Sequence, residues 1–450
     1  MINIDFESIL PDIAELIEQE NQGALQNILV DLHPADIEEI INRLKKEQRK
    51  YIFDILPTEL ASEVLTELDS PIADQILEDK SDEEISSIID QMDSDDAADV
   101  ISELDDDVAA RVLDKMADEE ADEVKQLLHH EEDTAGGIMA VEFVSMPGDA
   151  TVNETIETIR KIREDIDDLY VIWVVDHENH LIGSVSLTEL VLAQGNTVLN
   201  EIMDDEVLFV RVDMDQEEVA NYVRKYDLVS VAVVDKNSKL VGRITVDDIV
   251  DVLEEEGSED LAYMAGAPDE EIMEESTFVL SRARIPWLLV AFLGEIVSAL
   301  LLSNFGHVLK EIVTVAFFIP IVMAMGGSTG QQASVIVVRG LATGDINLSD
   351  TKKRLYKEFR IALLNSSFFS LLLFIIAAIW HDAAFAVILS FSLFIVVNNA
   401  AFIGALVPLT FKRLDIDPAL AAAPFISTAN DILGILIYLS ITASMLGYIR

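Results

Sequence analysis

Five apolar segments fill the end of the chain, near 285–303, 312–338, 361–380, 383–411 and 419–446. Each is about the length that crosses a ~30 Å hydrocarbon core. Successive stretches of this kind can satisfy their backbones in a bilayer only as helices, so this region is predicted to be a membrane bundle of five helices. The rest of the chain cannot join it. Of 30 basic and 83 acidic residues in 450, only 10 and 9 lie from Ile285 onward, so the first 284 residues carry a formal charge of −54 and the remainder +1. Such a surplus repels nucleic acid and is compacted only by cations, which leaves metal ions or basic proteins as partners. There is no cysteine, so disulfides and thiolate metal sites are excluded. Met1 to Leu16 has neither a basic n-region nor an apolar h-region, so no secretory signal is expected and the acidic part is expected in the cytoplasm.

One residue inside the fifth segment needs a reason. Asp431 has no Lys or Arg in its own span, and an ionised Asp at the bilayer centre costs at least ~2.5–3.5 kcal/mol on insertion scales. It is therefore the leading functional candidate, facing either a bundle interior or a water-filled path. Pro424, Ser427, Thr428 and Asn430 precede it and Gly434 follows. The bland alternative for those neighbours is a helix–helix hydrogen-bonding patch. The second segment carries Gly326-Gly327-Ser328-Thr329-Gly330-Gln331-Gln332, a polar surface that lipid would not tolerate, expected beside Asp431. Asn398-Asn399 and Glu295 read as secondary polar positions of the bundle.

Residues up to about Glu132 are helical by pattern and contain a repeat: a shift of 36 residues lays 61–69 over 97–105, and the register continues to 82–84 over 118–120. That period suggests helical hairpins stacked into a superhelix. Asp95 and Asp99 share a helical face with Glu103 next along it, an arrangement that opposes the helix unless a cation intervenes. A solvated acidic face is the competing reading.

From Val141 to Leu253, short β-branched runs alternate with helices. Tyr170 to Ser186 and Val229 to Thr245 are both strand, turn, Leu-(Ile/Val)-Gly, strand, each followed by a helix opening at Leu187 or Val246. These units resemble a tandem pair of cystathionine-β-synthase (CBS) domains. Such pairs often bind adenine nucleotides through a Ser/Thr followed three residues later by Asp. Thr245 and Asp248 fit that pattern, whereas Ser186 and Glu189 depart from it, which tells against adenylate binding. An acidic helix follows at 247–276. Basic residues at Arg282/Arg284, in the loop from Lys352 to Arg360, and at Lys412/Arg413 then place the acidic domains inside and the C-terminus outside.

The chain as a whole resembles the MgtE family of magnesium channels and transporters. The matching residues are Ser94 to Asp99, Asp133 to Met139, the CBS pair, Arg284 to Leu289, Gly326 to Gln332, Asp417 to Leu420 and Asn430 to Gly434. The implied fold is a multidomain membrane protein: an all-α superhelical domain (1–132), an α/β CBS pair (133–253), an acidic connecting or plug helix (247–276) and five transmembrane helices (285–450). The resemblance also implies a homodimer in the cytoplasmic membrane, with a pore between spans two and five that the plug helix closes when internal Mg²⁺ is high. Asp431 looks like the pore carboxylate, with Gly326, Gly327, Ser328, Gln331 and Asn430 lining the pore and Asp417 at its cytoplasmic mouth. Glu63, Asp95 and Asp99 look like sensor ligands of the helical domain, and Glu217 and Asp227 like those of the CBS pair. Asp248, Asp251, Glu256, Glu259 and Asp260 look like those of the plug. Ser328 and Gln331 stand where the family often has Asn, which puts pore contacts and ion discrimination in question.

Elementary ion chemistry agrees. Mg²⁺ surrenders water reluctantly and is held through one or two carboxylates, so a single Asp per chain in a polar ring suits a hydrated ion. Transport of Co²⁺ or Ni²⁺ is the nearest alternative, but those ions favour imidazole and no His lies deep in a span. A sensor that transports nothing is the other. An intramembrane metalloprotease is not supported, because His177-Glu178-Asn179-His180 has the wrong spacing for H-E-x-x-H. No enzyme activity is expected.

Overall fold

In the computed structural model, the described residues are 6–162, 169–266, 277–414, 416–421 and 424–445. The predicted plug helix lies partly outside them, from 267 to 276, as does the C-terminal Arg450. The chain divides into two compact units, Met1–Leu253 and Glu254–Arg450.

The first unit opens with ten short helices: Phe6–Glu18 (α1), Gln22–Leu29 (α2), Pro34–Asn42 (α3), Lys46–Asp54 (α4), Thr58–Thr66 (α5), Ser70–Leu77 (α6), Asp82–Ile89 (α7), Ser94–Glu103 (α8), Asp106–Leu113 (α9) and Asp118–Leu127 (α10). From α2 to α10 a helix starts every 12 residues, at 22, 34, 46 and onward to 118. The 36-residue repeat is therefore three single-helix units, not the helical hairpin expected from its length. Each unit buries the third, sixth or seventh residue after its start, as in Ile37, Ile40 and Ile41 of α3 and Ile85, Ile88 and Ile89 of α7. Helices of eight to ten residues are marginal alone. They hold by packing on the helix two places along: α3 on α5, α5 on α7 and α7 on α9 make one ladder, and α4 on α6, α6 on α8 and α8 on α10 the other.

The CBS region contains two three-stranded sheets. Ser145–Pro147 (β1), Val171–Val175 (β2) and Leu181–Ser186 (β3) form the first, with Val152–Lys161 (α11) and Leu187–Leu192 (α12). Phe209–Arg211 (β4), Ser230–Val234 (β5) and Leu240–Thr245 (β6) form the second, with Gln216–Tyr226 (α13) and Val246–Ala265 (α14). In both, the first pair is parallel and the second antiparallel, with a register shift at Val174/Val175 and again at Val233/Val234. The hairpin turns also match: Asn179 and Ser238 are both left-handed, with φ of 68° and 62°. These turns exchange bonds between the sheets, Leu181 N to Ser238 O (3.2 Å) and Leu240 N to Asn179 O (3.1 Å). Trp173, Val175, Ala232 and Leu240 form the shared core.

Among its described residues, the second unit holds five helices long and apolar enough to cross a membrane. They are Thr277–Asn304 (α15), Thr314–Ala342 (α17), Thr351–Trp380 (α18), Ala383–Arg413 (α19) and Pro424–Ser444 (α20), with the short Gly306–Glu311 (α16) between the first two. α19 is the central post, packed on α17, α18 and α20, while α15 leans on α20. The apolar core gathers Phe318, Val322, Leu389, Val396, Tyr438 and Leu439.

Candidate functional site

Within the first unit, the acidic residues of α8 meet the start of α14. Ser94 opens α8 buried, its Oγ donating to Glu142 Oε2 (2.8 Å) and accepting from Val141 N (3.0 Å), which ties the helix to the segment leading into the CBS pair. That anchor pushes Asp95 inward, to 8 % exposure. Burial raises the Asp95 carboxyl well above the usual carboxylate range, and the negative charges of Asp248, Asp96, Asp93 and Glu142 raise it further. Asp96 is pushed up to about 7, by burial first and then by Asp248, Asp93, Asp99 and Asp251. Asp248 is also raised by its burial, though Thr245 N and Oγ1, both donating to Asp248 Oδ2 at 2.8 Å, pull the other way.

The fold thus gathers Asp95, Asp99, Asp248 and Asp251 from the predicted sensor and plug sets. It adds Asp93, Asp96 and Glu142, which sequence reasoning did not single out as ligands; the density of carboxylates from Asp93 to Asp99 was the available signal. Glu63 lies exposed on α5, while Glu217 sits in the first turn of α13 and the left-handed Asp227 ends that helix. Among the described residues, no three His, Asp or Glu side chains converge closely enough to enclose a metal ion. The chemistry still fits Mg²⁺, which keeps much of its water shell and needs only one or two carboxylates from the protein. The Thr245/Asp248 pair and the Ser186/Glu189 pair both serve as helix N-terminal capping contacts, with Ser186 Oγ to Glu189 Oε2 at 3.2 Å.

In the second unit, Asp431 is half-buried on α20. The side chain of Glu295, on α15, comes within hydrogen-bonding distance of it. Sequence reasoning had placed Glu295 as a secondary position; its pairing depends on how α15 meets α20, which no local pattern reveals. Along α17, Ser328, Gln331 and Gln332 are exposed and Gly327 has open space where a side chain would go. Gly326 and Gly330 are buried. Asn430 is 2 % exposed, and a Cβ built on Gly330 would stand 1.9 Å from its Nδ2, so the glycine is what admits the amide. A Cβ on Gly404 would stand 2.2 Å from Gly330 O, so α17 and α19 touch backbone to backbone beside it. Asn398 Nδ2 donates to Ser366 Oγ (2.7 Å), joining α19 to α18.

Asp417 is exposed, and its Oδ1 accepts from Ala419 N (2.8 Å) at the start of a short 3-10 turn, Ala419–Ala421. Ala419 and Val338 of α17 are buried under Tyr263 and Met264 at the end of α14. Glu256, Glu259 and Asp260 lie half-buried on the preceding turns. Tyr263 also stacks against Trp287 at 6.1 Å.

A helical-repeat domain, a CBS pair and a bundle of five membrane-length helices with a carboxylate in the fifth define a polytopic membrane protein with an appended helical domain and CBS pair. Residues 319–441 match the MgtE divalent cation transporter family, 32–133 the MgtE intracellular N domain, and 135–196 and 199–255 the CBS domain. Over 447 residues the chain is 35 % identical to a magnesium transporter MgtE of Thermus thermophilus, covering 98 % of this chain and 99 % of the relative. It is 33 % identical over 329 residues to the magnesium transporter MgtE of Enterococcus faecalis, covering 73 % and 72 %. A solved cytosolic domain of the Mg²⁺ channel MgtE in complex with ATP is 34 % identical, with a TM-score of 0.52 over 54 % of this chain and 99 % of that one. The soluble part of a magnesium transporter matches with 29 % identity and a TM-score of 0.51 over 56 % and 99 %. The chain belongs to the MgtE family.

Proposed function

We propose that this chain conducts Mg²⁺ across the cytoplasmic membrane as a homodimer and is closed by internal Mg²⁺. The observation that carries the reading is Asp431, a carboxylate on a membrane-length helix with no basic residue in that helix. The exposed Ser328, Gln331 and Gln332 support it, because a polar face on a span requires water or a second copy in place of lipid. Two copies brought together there would enclose a polar path with an Asp from each, suited to an ion that keeps much of its water shell.

Feedback rests on the Asp95, Asp96 and Asp248 cluster. Carboxylates forced together and buried repel one another at neutral pH, and a divalent cation relieves that repulsion. A ligand that binds the compact state better shifts the population toward it. The packing of Tyr263 and Met264 over Ala419, beside Asp417, supports a plug at the mouth. The acidic domains and the N-terminus are assigned to the cytoplasm and the C-terminus to the outside, from the distribution of basic loops. Adenine nucleotide at the CBS pair is a secondary reading, favoured by the ATP bound to the related cytosolic domain.

The test is Mg²⁺ flux into liposomes holding the purified chain, wild type against Asp431→Ala, at low and high Mg²⁺ on the cytoplasmic face. Flux lost in the variant, and suppressed in wild type by cytoplasmic Mg²⁺, is the expected result. Normal conduction by the variant would return Asp431 to a structural role. No flux from wild type in any condition would favour a sensor that does not transport.

A further inference from the structure

We infer that Glu295 is a second ion-facing carboxylate of the conduction path, acting with Asp431 on the hydrated cation; this rests on the channel reading above. The starting point is where Glu295 lies. It sits well inside the apolar stretch Leu280–Asn304, yet it is exposed on the surface of the single bundle. A carboxylate facing lipid at that depth is strongly disfavoured, so the face that carries it must meet water or another copy of the chain.

Its direction is fixed by the residue before it. A Cβ on Gly294 would stand 2.1 Å from Thr428 Cγ2, so the α15 backbone lies directly against the Thr428 side chain. Thr428 is about one helical turn from Asp431, and Gly294 is adjacent to Glu295. The same close approach therefore brings the two carboxyl groups together. Ser298, one turn after Gly294 on the same face of α15, is 3 % exposed, and its Oγ has no hydrogen-bond partner. The seam thus holds a buried hydroxyl with unused capacity beside two acids.

Two ionised carboxylates in direct contact repel and can only accept hydrogen bonds, so the pair calls for a shared proton or for a cation and its water beside it. No basic side chain is positioned in the middle of these helices. Basic residues on α15, α17 and α19 lie toward their ends, at Arg282 and Arg284, Arg339, and Lys412 and Arg413. The water shell of Mg²⁺ supplies the missing donors together with the compensating charge. Glu295 would then set the strength with which the path attracts a divalent ion, beyond what Asp431 does alone.

The decisive experiment measures Mg²⁺ uptake by the full chain in liposomes as external Mg²⁺ is varied, for wild type, Glu295→Gln and Glu295→Asp. The expected result is a rise of about thirtyfold in half-saturating Mg²⁺ for Glu295→Gln, the loss of one carboxylate's attraction for a doubly charged ion at contact range in a water-like medium. Glu295→Asp should stay near wild type, and all three should share one thermal midpoint in detergent. Half-saturation unchanged in Glu295→Gln would overturn the inference. So would equal losses in both variants accompanied by a lowered midpoint, which would mark a packing role. Absence of flux from wild type would sink the channel reading alone, and Mn²⁺ titration followed by electron paramagnetic resonance would then decide. Loss of one shared Mn²⁺ site in both Glu295→Gln and Asp431→Ala supports the pair; retention of that site in Glu295→Gln refutes it.

Discussion

Asp96→Asn should make the first unit more stable at pH 8 and by a smaller margin at pH 5. In the folded chain Asp96 titrates at about 7, against an ordinary value of 3.8. The folded state therefore holds its proton more tightly than the unfolded chain does. Stability is greatest below the unfolded value, declines as pH rises from about 4, and reaches its lowest level above about 7. A shift of about three units corresponds to ~4 kcal/mol, and ~2 kcal/mol is a working figure because solvent reaches part of the side chain and Asp95 titrates with it. Asparagine cannot ionise, so the variant escapes this penalty at pH 8; at pH 5 the folded Asp96 keeps its proton while the unfolded chain has lost it, so the difference is smaller, and it vanishes only below the unfolded value of 3.8. The assay is urea-dependent pulse proteolysis of the full chain in detergent, scored on survival of the region 1–253 at both pH values. Millimolar Mg²⁺ at pH 8 should stabilise wild type and narrow its gap to the variant. Parallel pH profiles for the two chains between pH 5 and 8 would refute the reasoning.

Backbone contacts make further expectations. Gly404→Ala places a methyl 2.2 Å from Gly330 O, which cannot yield, and should cost at least ~1–3 kcal/mol in thermal unfolding of the purified chain; Gly327→Ala meets nothing within 4 Å and should fold as wild type. Tyr438→Phe removes the hydroxyl that donates to Val315 O at 2.9 Å in the bundle core. It should lower stability by about 1 kcal/mol in the same measurement without abolishing Mg²⁺ flux.

Hydropathy located all five membrane helices because a long apolar run has few other uses. It missed where they begin: α18 starts at Thr351, ten residues ahead of the apolar run, since Lys352, Lys353 and Arg354 extend the helix while lowering its hydropathy. The CBS hairpins were legible because their strands and turns are local signals. The acidic repeat was visible at 36 residues, yet its true unit of 12 was not, because only the buried third, sixth and seventh positions recur at the shorter spacing while exposed residues vary freely. For the site, Asp431 stood out by chemical incongruity in an apolar helix. The meeting of Asp95 and Asp96 with Asp248, and of Glu295 with Asp431, was hidden, since each pair joins distant segments through a tertiary approach set by Ser94 in one case and Gly294 in the other.

The two ladders of the helical domain give its sequence a parity. Removing one 12-residue unit would keep every later helix in phase with its own cap and apolar triplet, but move it from one ladder to the other. All downstream faces would then meet partners shaped for the opposite row, and the Asp95 helix would turn away from its place beside Ser94's anchor at Glu142. Removing 24 residues restores the order. Length variation among chains with this architecture should therefore occur in double steps, and the domain can change its reach without changing which side it offers to the CBS pair.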